Sequence, residues 1–239
     1  MSTLAIANQV GDLLDEARDL LAEEITGAGD VALTLSFQTE GVVLAKLAIE
    51  LDPGIPILFI DTGYHFRETY EYRDRLVREW GLNLINLQPL QSVQEHENQR
   101  GLLYQSSPDQ CCRMRKVEPL FKAMADYRVW ITGLRRDQAK TRANVQQRSM
   151  FALPGGHQVL KVAPLTEWTT RDVYYAAEQL DIPLHPLYER GFTSIGCEPC
   201  TTLPIDPTDP RSGRWGGRKV ECGLHVEAPR PESNLVVIR

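Results

Sequence analysis

A chain of 239 residues, 42% hydrophobic and 24% charged, is long enough for one large domain with a sizeable core. Its net charge of −6 argues against general nucleic-acid binding. No apolar run approaches the ~20 residues that span a bilayer, so no membrane association is expected.

Acids at Asp12, Asp15, Glu16, Asp19, Glu23 and Glu24 interrupt the apolar residues near the N-terminus, where no secretory signal is read. The expected compartment is the cytoplasm, where thiols stay reduced. Ile6, Val10, Leu13, Leu14, Ala17, Leu20 and Leu21 recur at helical spacing and predict a helix over 4–24, which could also pair subunits into a homo-oligomer. V-A-L-T-L-S-F (31–37) is expected to be a buried strand and G-V-V-L-A-K-L-A-I-E-L (41–51) the helix leading away from it. I-P-I-L-F-I-D (55–61) is a second strand, followed by a helix over roughly 66–80 that ends at Gly81. N-L-I-N-L (83–87), V-W-I-T-G-L (129–134) and V-L-K-V-A-P-L (159–165) supply three more strands, and a helix runs from about Thr170 to Leu180.

This alternation predicts an α/β fold, a parallel sheet with helices on both faces. Ligands then bind at the carboxyl ends of the strands, at Ser36 to Gly41, Asp61 to Gly63 and Gly133 onward. From about Pro183 the chain turns rich in Pro, Gly and Thr, an irregular C-terminal extension that needs something to hold it down.

Two of the five cysteines, Cys111 and Cys112, are adjacent, and a bridge across one peptide is strained. Ser107-Pro108-Asp109-Gln110 reads as a helix start with Ser107 at the N-cap, putting the pair near the first turn, where the dipole favours thiolate. I-G-C-E-P-C adds Cys197 and Cys200. Adjacent helical cysteines diverge by about 100°, awkward for one zinc atom and workable for the separate irons of a 4Fe–4S cluster. Zinc and unligated buried thiols remain as alternatives. Arg115 and Lys116, one turn on, either offset an anionic cluster or point into water. Cys222, in K-V-E-C-G-L-H-V, is either an inert small hydrophobe or a nucleophile beside Arg211, Arg214, Arg218 and Lys219.

The motifs C-C-R-M-R-K-V-E-P-L, T-G-L-R-R-D-Q with Arg142 following, I-G-C-E-P-C, R-S-G-R-W and E-C-G-L-H together resemble those of assimilatory adenylylsulfate (APS) reductases, the iron–sulfur branch of the PAPS/APS reductase family. The resemblance covers nearly the whole chain from about residue 30. It implies an adenine nucleotide alpha hydrolase-like, Rossmann-like fold and a single reductase domain: helix 1–28, core 29–182 and C-terminal segment 183–239. It implies reduction of APS to sulfite and AMP through an S-sulfocysteine at Cys222, released by thioredoxin or glutaredoxin. A 4Fe–4S cluster would be held by Cys111, Cys112, Cys197 and Cys200, with Lys116 between cluster and substrate. Matching positions make Arg142, Arg211, Arg214 and His225 phosphosulfate contacts, and Ser36, Phe37, Thr62, Gly63 and Gly133 lining of the nucleotide pocket.

One stretch departs from the family. S-F-Q-T-E-G stands where S-F-G-A-E-D is usual, so Gln38 through Gly41 are expected to shape the pocket differently. His65, His96, His157 and His185 read as ordinary polar or core histidines. PAPS is an alternative substrate. A non-enzymatic iron–sulfur protein would leave Cys222 without a role, and an ATP pyrophosphatase would need an S-G-G-x-D-S loop that is not there.

Overall fold

The computed structural model describes residues 3–27, 30–219 and 221–225. After α1 (Thr3–Gly27), strands and helices alternate as β1 (Val31–Thr34), α2 (Thr39–Leu51), β2 (Ile57–Ile60), α3 (Arg67–Trp80) and β3 (Leu84–Leu87). Two short helices, α4 (Val93–Arg100) and α5 (Leu103–Ser106), lead into a composite helix. It comprises α6 (Pro108–Cys112), a π-turn over Arg113–Val117, and α7 (Glu118–Met124). β4 (Val129–Thr132), β5 (Arg148–Ala152), β6 (Gln158–Val162) and α8 (Thr170–Gln179) follow.

Each predicted strand and helix forms, with the ladders shorter than the apolar runs that announce them. β1, β2 and β4 are apolar on both faces because helices cover both, and α3 stops where Gly81 takes a left-handed φ of 65°. The sheet has the order β3-β2-β1-β4-β6-β5, and every pairing is parallel except β5 with β6. The expected parallel sheet with helices on both faces forms, with one departure at its edge. β5 is an antiparallel edge strand, returned onto β6 by a turn through Pro154, Gly155 and Gly156.

β1 lies between β2 and β4, so the chain leaves it in opposite directions and opens a crevice at the carboxyl ends of β1 and β4. On one face, Val10, Leu14, Ala17 and Leu21 of α1 pack with α2 and α8 in the larger core. The apolar stripe of α1 thus packs inside its own subunit. On the other face, Leu120 and Met124 of α7 cover Ala32, Leu58 and Trp130. Trp130 meets Phe151 edge-on at 5.3 Å, and its indole N–H donates to Thr34 Oγ1 at 2.9 Å.

The C-terminal extension is irregular and well fastened. Ile195 N–H donates to Gln38 Oε1 at 2.9 Å, and isolated bridges pair His65 with Cys197 and Thr201 with Arg214. Farther on, Lys219 Nζ lies 2.6 Å from Asp109 Oδ1, and Arg218 donates to the Tyr104 and Gln105 carbonyls. The extension is thereby tied to the end of β1, to the loop after β2, and to the helix that carries the cysteine pair. No helix among the described residues is long and apolar enough to cross a membrane.

Candidate active site

All five cysteines are free thiols, four of them buried. Cys111 and Cys112 at the end of α6 line one small cavity with Cys197 and Cys200 from the extension. Pro108 starts the helix as expected, but Ser107 makes no capping bond. The dipole of so short a helix does not decide the thiol chemistry. Burial pushes the Cys111 thiol up to about 12 and Cys200 to about 11, and the neighbouring thiols add to the effect. Four crowded, buried sulfurs are poorly served by water or by each other, and a cationic group among them would reverse that penalty.

Other polar atoms point the same way. The indole N–H of Trp215, packed against Cys112, Cys197 and Cys200, has no hydrogen-bond partner among the described residues, and Thr62 Oγ1 lies 3.3 Å from Cys197 Sγ. Among the described residues, no set of three Cys, His, Asp or Glu side chains closes on a point that would hold a single ion. Four thiols that share one cavity are a soft donor set of the kind that holds zinc or an iron–sulfur group.

Behind this cavity stands a second, larger pocket of about 220 Å³ in the crevice at the carboxyl ends of β1 and β4. Lys116 and Thr62 line both spaces and form the partition between them. The π-turn places Lys116 there. Burial would lower its ammonium pKa, yet Cys197, Cys112 and Cys222 hold it above the ordinary value. Arg115 does not point into water either. It is 3% exposed, donates through Nε to the Thr62 carbonyl at 2.7 Å, and lies over the Tyr64 ring.

Ser36, Thr62 and Gly133 line the larger pocket as the strand ends predicted. Phe37 and Gly63 do not. Phe37, at φ 60°, turns its ring into the core against Phe59 and Tyr72, so only its backbone belongs to the loop. Gly63, at φ 74°, is required by crowding, because a β-carbon there would lie 2.6 Å from Val93 Cγ2 and 3.2 Å from Arg115 Nη2. Gln38 fills the usual glycine position as the bracket to Ile195, and Glu40 accepts a hydrogen bond from Gln138 Nε2 at 2.8 Å. Gln38, Thr39, Glu40 and Gly41 all face the pocket.

At one end of this pocket sits Cys222, half-buried. Lys116, Arg142, Arg211 and Arg214 line the same pocket. Arg214 is 6% exposed, donates to Ser194 Oγ at 3.2 Å and stacks on Trp215. It passes beneath Gly196, where a β-carbon would come within 1.9 Å of Nη2. His225 lies against Trp130, its imidazole held well below its ordinary pKa by burial and by Lys161, Arg142 and Arg211. Arg115, Lys116, Arg135, Arg142, Arg211 and Arg214 thus turn inward, while Arg113, Arg136 and Lys219 pair with surface acids.

Sequence reading missed Glu221, which binds Arg142 through both oxygens. Arg135 is buried on the pocket wall and bonded to the Trp168 carbonyl and Thr170. Among the histidines, His185 is a core residue bonded to Thr69 Oγ1 and to the Leu187 N–H, as expected. His65 bonds the Ile60 carbonyl and lines the pocket.

A mixed, mostly parallel sheet covered by helices, with its pocket at the switch point, defines a doubly wound α/β fold. The fold is shared with PAPS reductase from Candida auris, at TM-score 0.68 and 23% identity over 84% of this chain and 98% of that one. It is shared also with the FMN adenylyltransferase of Candida glabrata, at TM-score 0.61 and 14% identity over 95% of this chain and 77% of that one. Residues 30–203 match the phosphoadenosine phosphosulfate reductase domain. An adenosine 5'-phosphosulfate reductase of Rhodococcus opacus is 41% identical over 86% of this chain and 82% of its own length. The chain belongs to the phosphoadenosine phosphosulfate reductase family and is an oxidoreductase of sulfate reduction.

Proposed function

We propose that the protein reduces adenosine 5′-phosphosulfate to sulfite and AMP in the cytoplasm, with Cys222 as nucleophile and thioredoxin or glutaredoxin as the dithiol donor. The carrying observation is the separation of the sulfurs. Cys222 alone lies in the pocket at the strand ends, among four cations, while the other four cysteines share a cavity behind Lys116 and Thr62.

In the first half-reaction the Cys222 thiolate attacks the sulfonate sulfur and an S–S bond forms. The bond from sulfur to the phosphate oxygen breaks, and AMP leaves with its electron pair. Two anions must approach, and Lys116, Arg211 and Arg214 offset the charge that accumulates. In the second, a donor thiolate attacks Cys222 Sγ and sulfite departs. The donor's second thiol then resolves the mixed disulfide, so the two electrons come from the dithiol.

Cys111, Cys112, Cys197 and Cys200 would hold a 4Fe–4S cluster, with the Trp215 N–H, the Thr62 hydroxyl and Lys116 turned toward it. When bound, the cluster supplies order and electrostatics. The chain then works as one reductase unit, with an N-terminal segment 1–28, a nucleotide-binding core over 29–182 and a segment 183–239 that brings in Cys197, Cys200 and Cys222.

The choice of APS over PAPS is supported by the relative's activity and by the pocket's charges. A 3′-phosphate would bring nearly two further negative charges. Arg135 is already committed to Trp168, Thr170 and Asp137, and the Glu40 carboxylate faces the same space. Mass spectrometry of the protein mixed with APS, and separately with PAPS, in the absence of reductant tests this. APS is expected to leave Cys222 sulfonated. Sulfonation by PAPS alone would reverse the substrate, and sulfonation by neither would overturn the reading.

A further inference from the structure

Glu221, the residue before the proposed nucleophile, makes a bidentate ion pair at the Cys222 end of the pocket. Arg142 Nε and Nη2 donate to its two oxygens at 2.7 and 2.8 Å, and Thr141 Oγ1 donates at 3.0 Å. Arg211 Nη2 lies 3.5 Å from Oε2. The remaining nitrogen of Arg142 donates to Gln138, so the chelating edge of this guanidinium is fully taken. Side-chain exposure is 12% for Arg142 and 19% for Glu221, so water screens the pair little. The effect is visible on both partners. Against the pull of burial, Arg142 is held above its ordinary pKa and Glu221 below its own.

Two parallel N–H donors fit the oxygens of a carboxylate, a phosphate or a sulfonate alike. A second anion cannot share the edge, because like charges at that separation repel strongly in a partly dry site. Resting on the proposed function for the role of Cys222, we propose that Glu221 is an internal surrogate for the terminal anion of the substrate. It holds Arg142 and Arg211 while the pocket lacks nucleotide, and the sulfonate displaces it.

Consecutive α-carbons are about 3.8 Å apart across a trans peptide, so moving Glu221 re-aims Cys222. Anion exchange on Arg142 thereby couples arrival of the substrate to the final approach of the thiol. Part of the substrate's binding energy goes into moving the nucleophile, which makes Glu221 a positioning residue.

The test compares the full-length wild-type protein with Glu221→Gln, using ADP and AMP as unreactive probes. The terminal phosphate of ADP stands where the sulfonate would, and AMP lacks it and reports that the pocket is folded. By calorimetry the variant is expected to bind ADP more tightly by on the order of tenfold, the size of one charge-assisted bond, with AMP little changed. Without nucleotide, iodoacetamide should alkylate Cys222 several-fold faster in the variant. Equal or weaker ADP binding, equal tightening of AMP, or an unchanged alkylation rate would each overturn the proposal. Absence of AMP binding in both proteins would remove the nucleotide reading itself and the surrogate with it, a result separable from ADP failing to discriminate.

Discussion

The imidazole of His225 lies nearly flat against the indole of Trp130, ring centroids 5.4 Å apart and planes 22° from parallel. Trp130 is fully buried in β4, and its N–H is fixed by Thr34, so the strand offers a rigid seat for the end of the described chain. His225 is 3 residues beyond Cys222, and the stack holds the thiol's segment on the pocket. If stacking is the role, His225→Phe should keep single-turnover sulfonation of Cys222 within a few-fold of wild type. His225→Ala should lose about tenfold, the size of one aromatic pair. Equal losses in both variants would assign the imidazole to hydrogen bonding with substrate.

Lys116 is the cation that both chambers share. Lys116→Ala is expected to leave a brown protein with about four irons per chain while slowing sulfur transfer by roughly 10²–10³, as removal of one preorganised donor does. Iron content by colorimetric assay and the rate of AMP release give the two readings. An unaltered rate would take Lys116 out of the chemistry, and a colourless, zinc-loaded wild type would remove the cluster.

Gly196 leaves no room for a side chain. A β-carbon there would sit 1.9 Å from Arg214 Nη2, so Gly196→Ala must push the guanidinium aside or move the loop that carries Cys197. A stability loss of about 1–3 kcal/mol is expected from overpacking, with a rise in KM as Arg214 leaves its place. Denaturant midpoints and steady-state kinetics measure the two effects, and a variant with wild-type values of both would show that Arg214 can relocate freely.

His185 makes stability fall on acidification. Burial lowers its pKa from 6.5 to about 4. Between those values the unfolded chain carries the proton and the folded one does not, so unfolding binds protons and stability rises with pH across that window. The contribution, present above 6.5 and lost as the pH falls to 4, is up to roughly 3 kcal/mol. His65, also lowered to about 4 chiefly by burial, acts in the same direction. In urea titrations across this window, His185→Asn should show a shallower dependence on pH than wild type. An identical slope would mean that the group titrates normally.

Much of this arrangement is legible in the sequence because period and spacing carry it. The apolar runs before Ser36, Thr62 and Gly133 mark strands whose ends meet at the switch point, and the cysteine spacings separate one sulfur from four. β5 was missed although Pro154-Gly155-Gly156 is a turn signal, because Arg148–Ala152 shows neither alternation nor a continuous apolar run. α4 carries a Ser92–Glu95 capping box that a closer reading would have found. What spacing does not reveal is which charges meet across long separations. Glu221 lies 79 residues from Arg142, and Phe37 and Gly63 look like pocket residues until the backbone turns them away.

The dividing layer made by Thr62 and Lys116 is one side chain thick. Neither position is free to drift for the sake of one chamber, since any change of size or charge there is felt in the strand-end pocket and in the cysteine cavity together. Selectivity for a new nucleotide would have to be engineered from the Arg135 and Gln138 wall, where a substitution disturbs a single compartment.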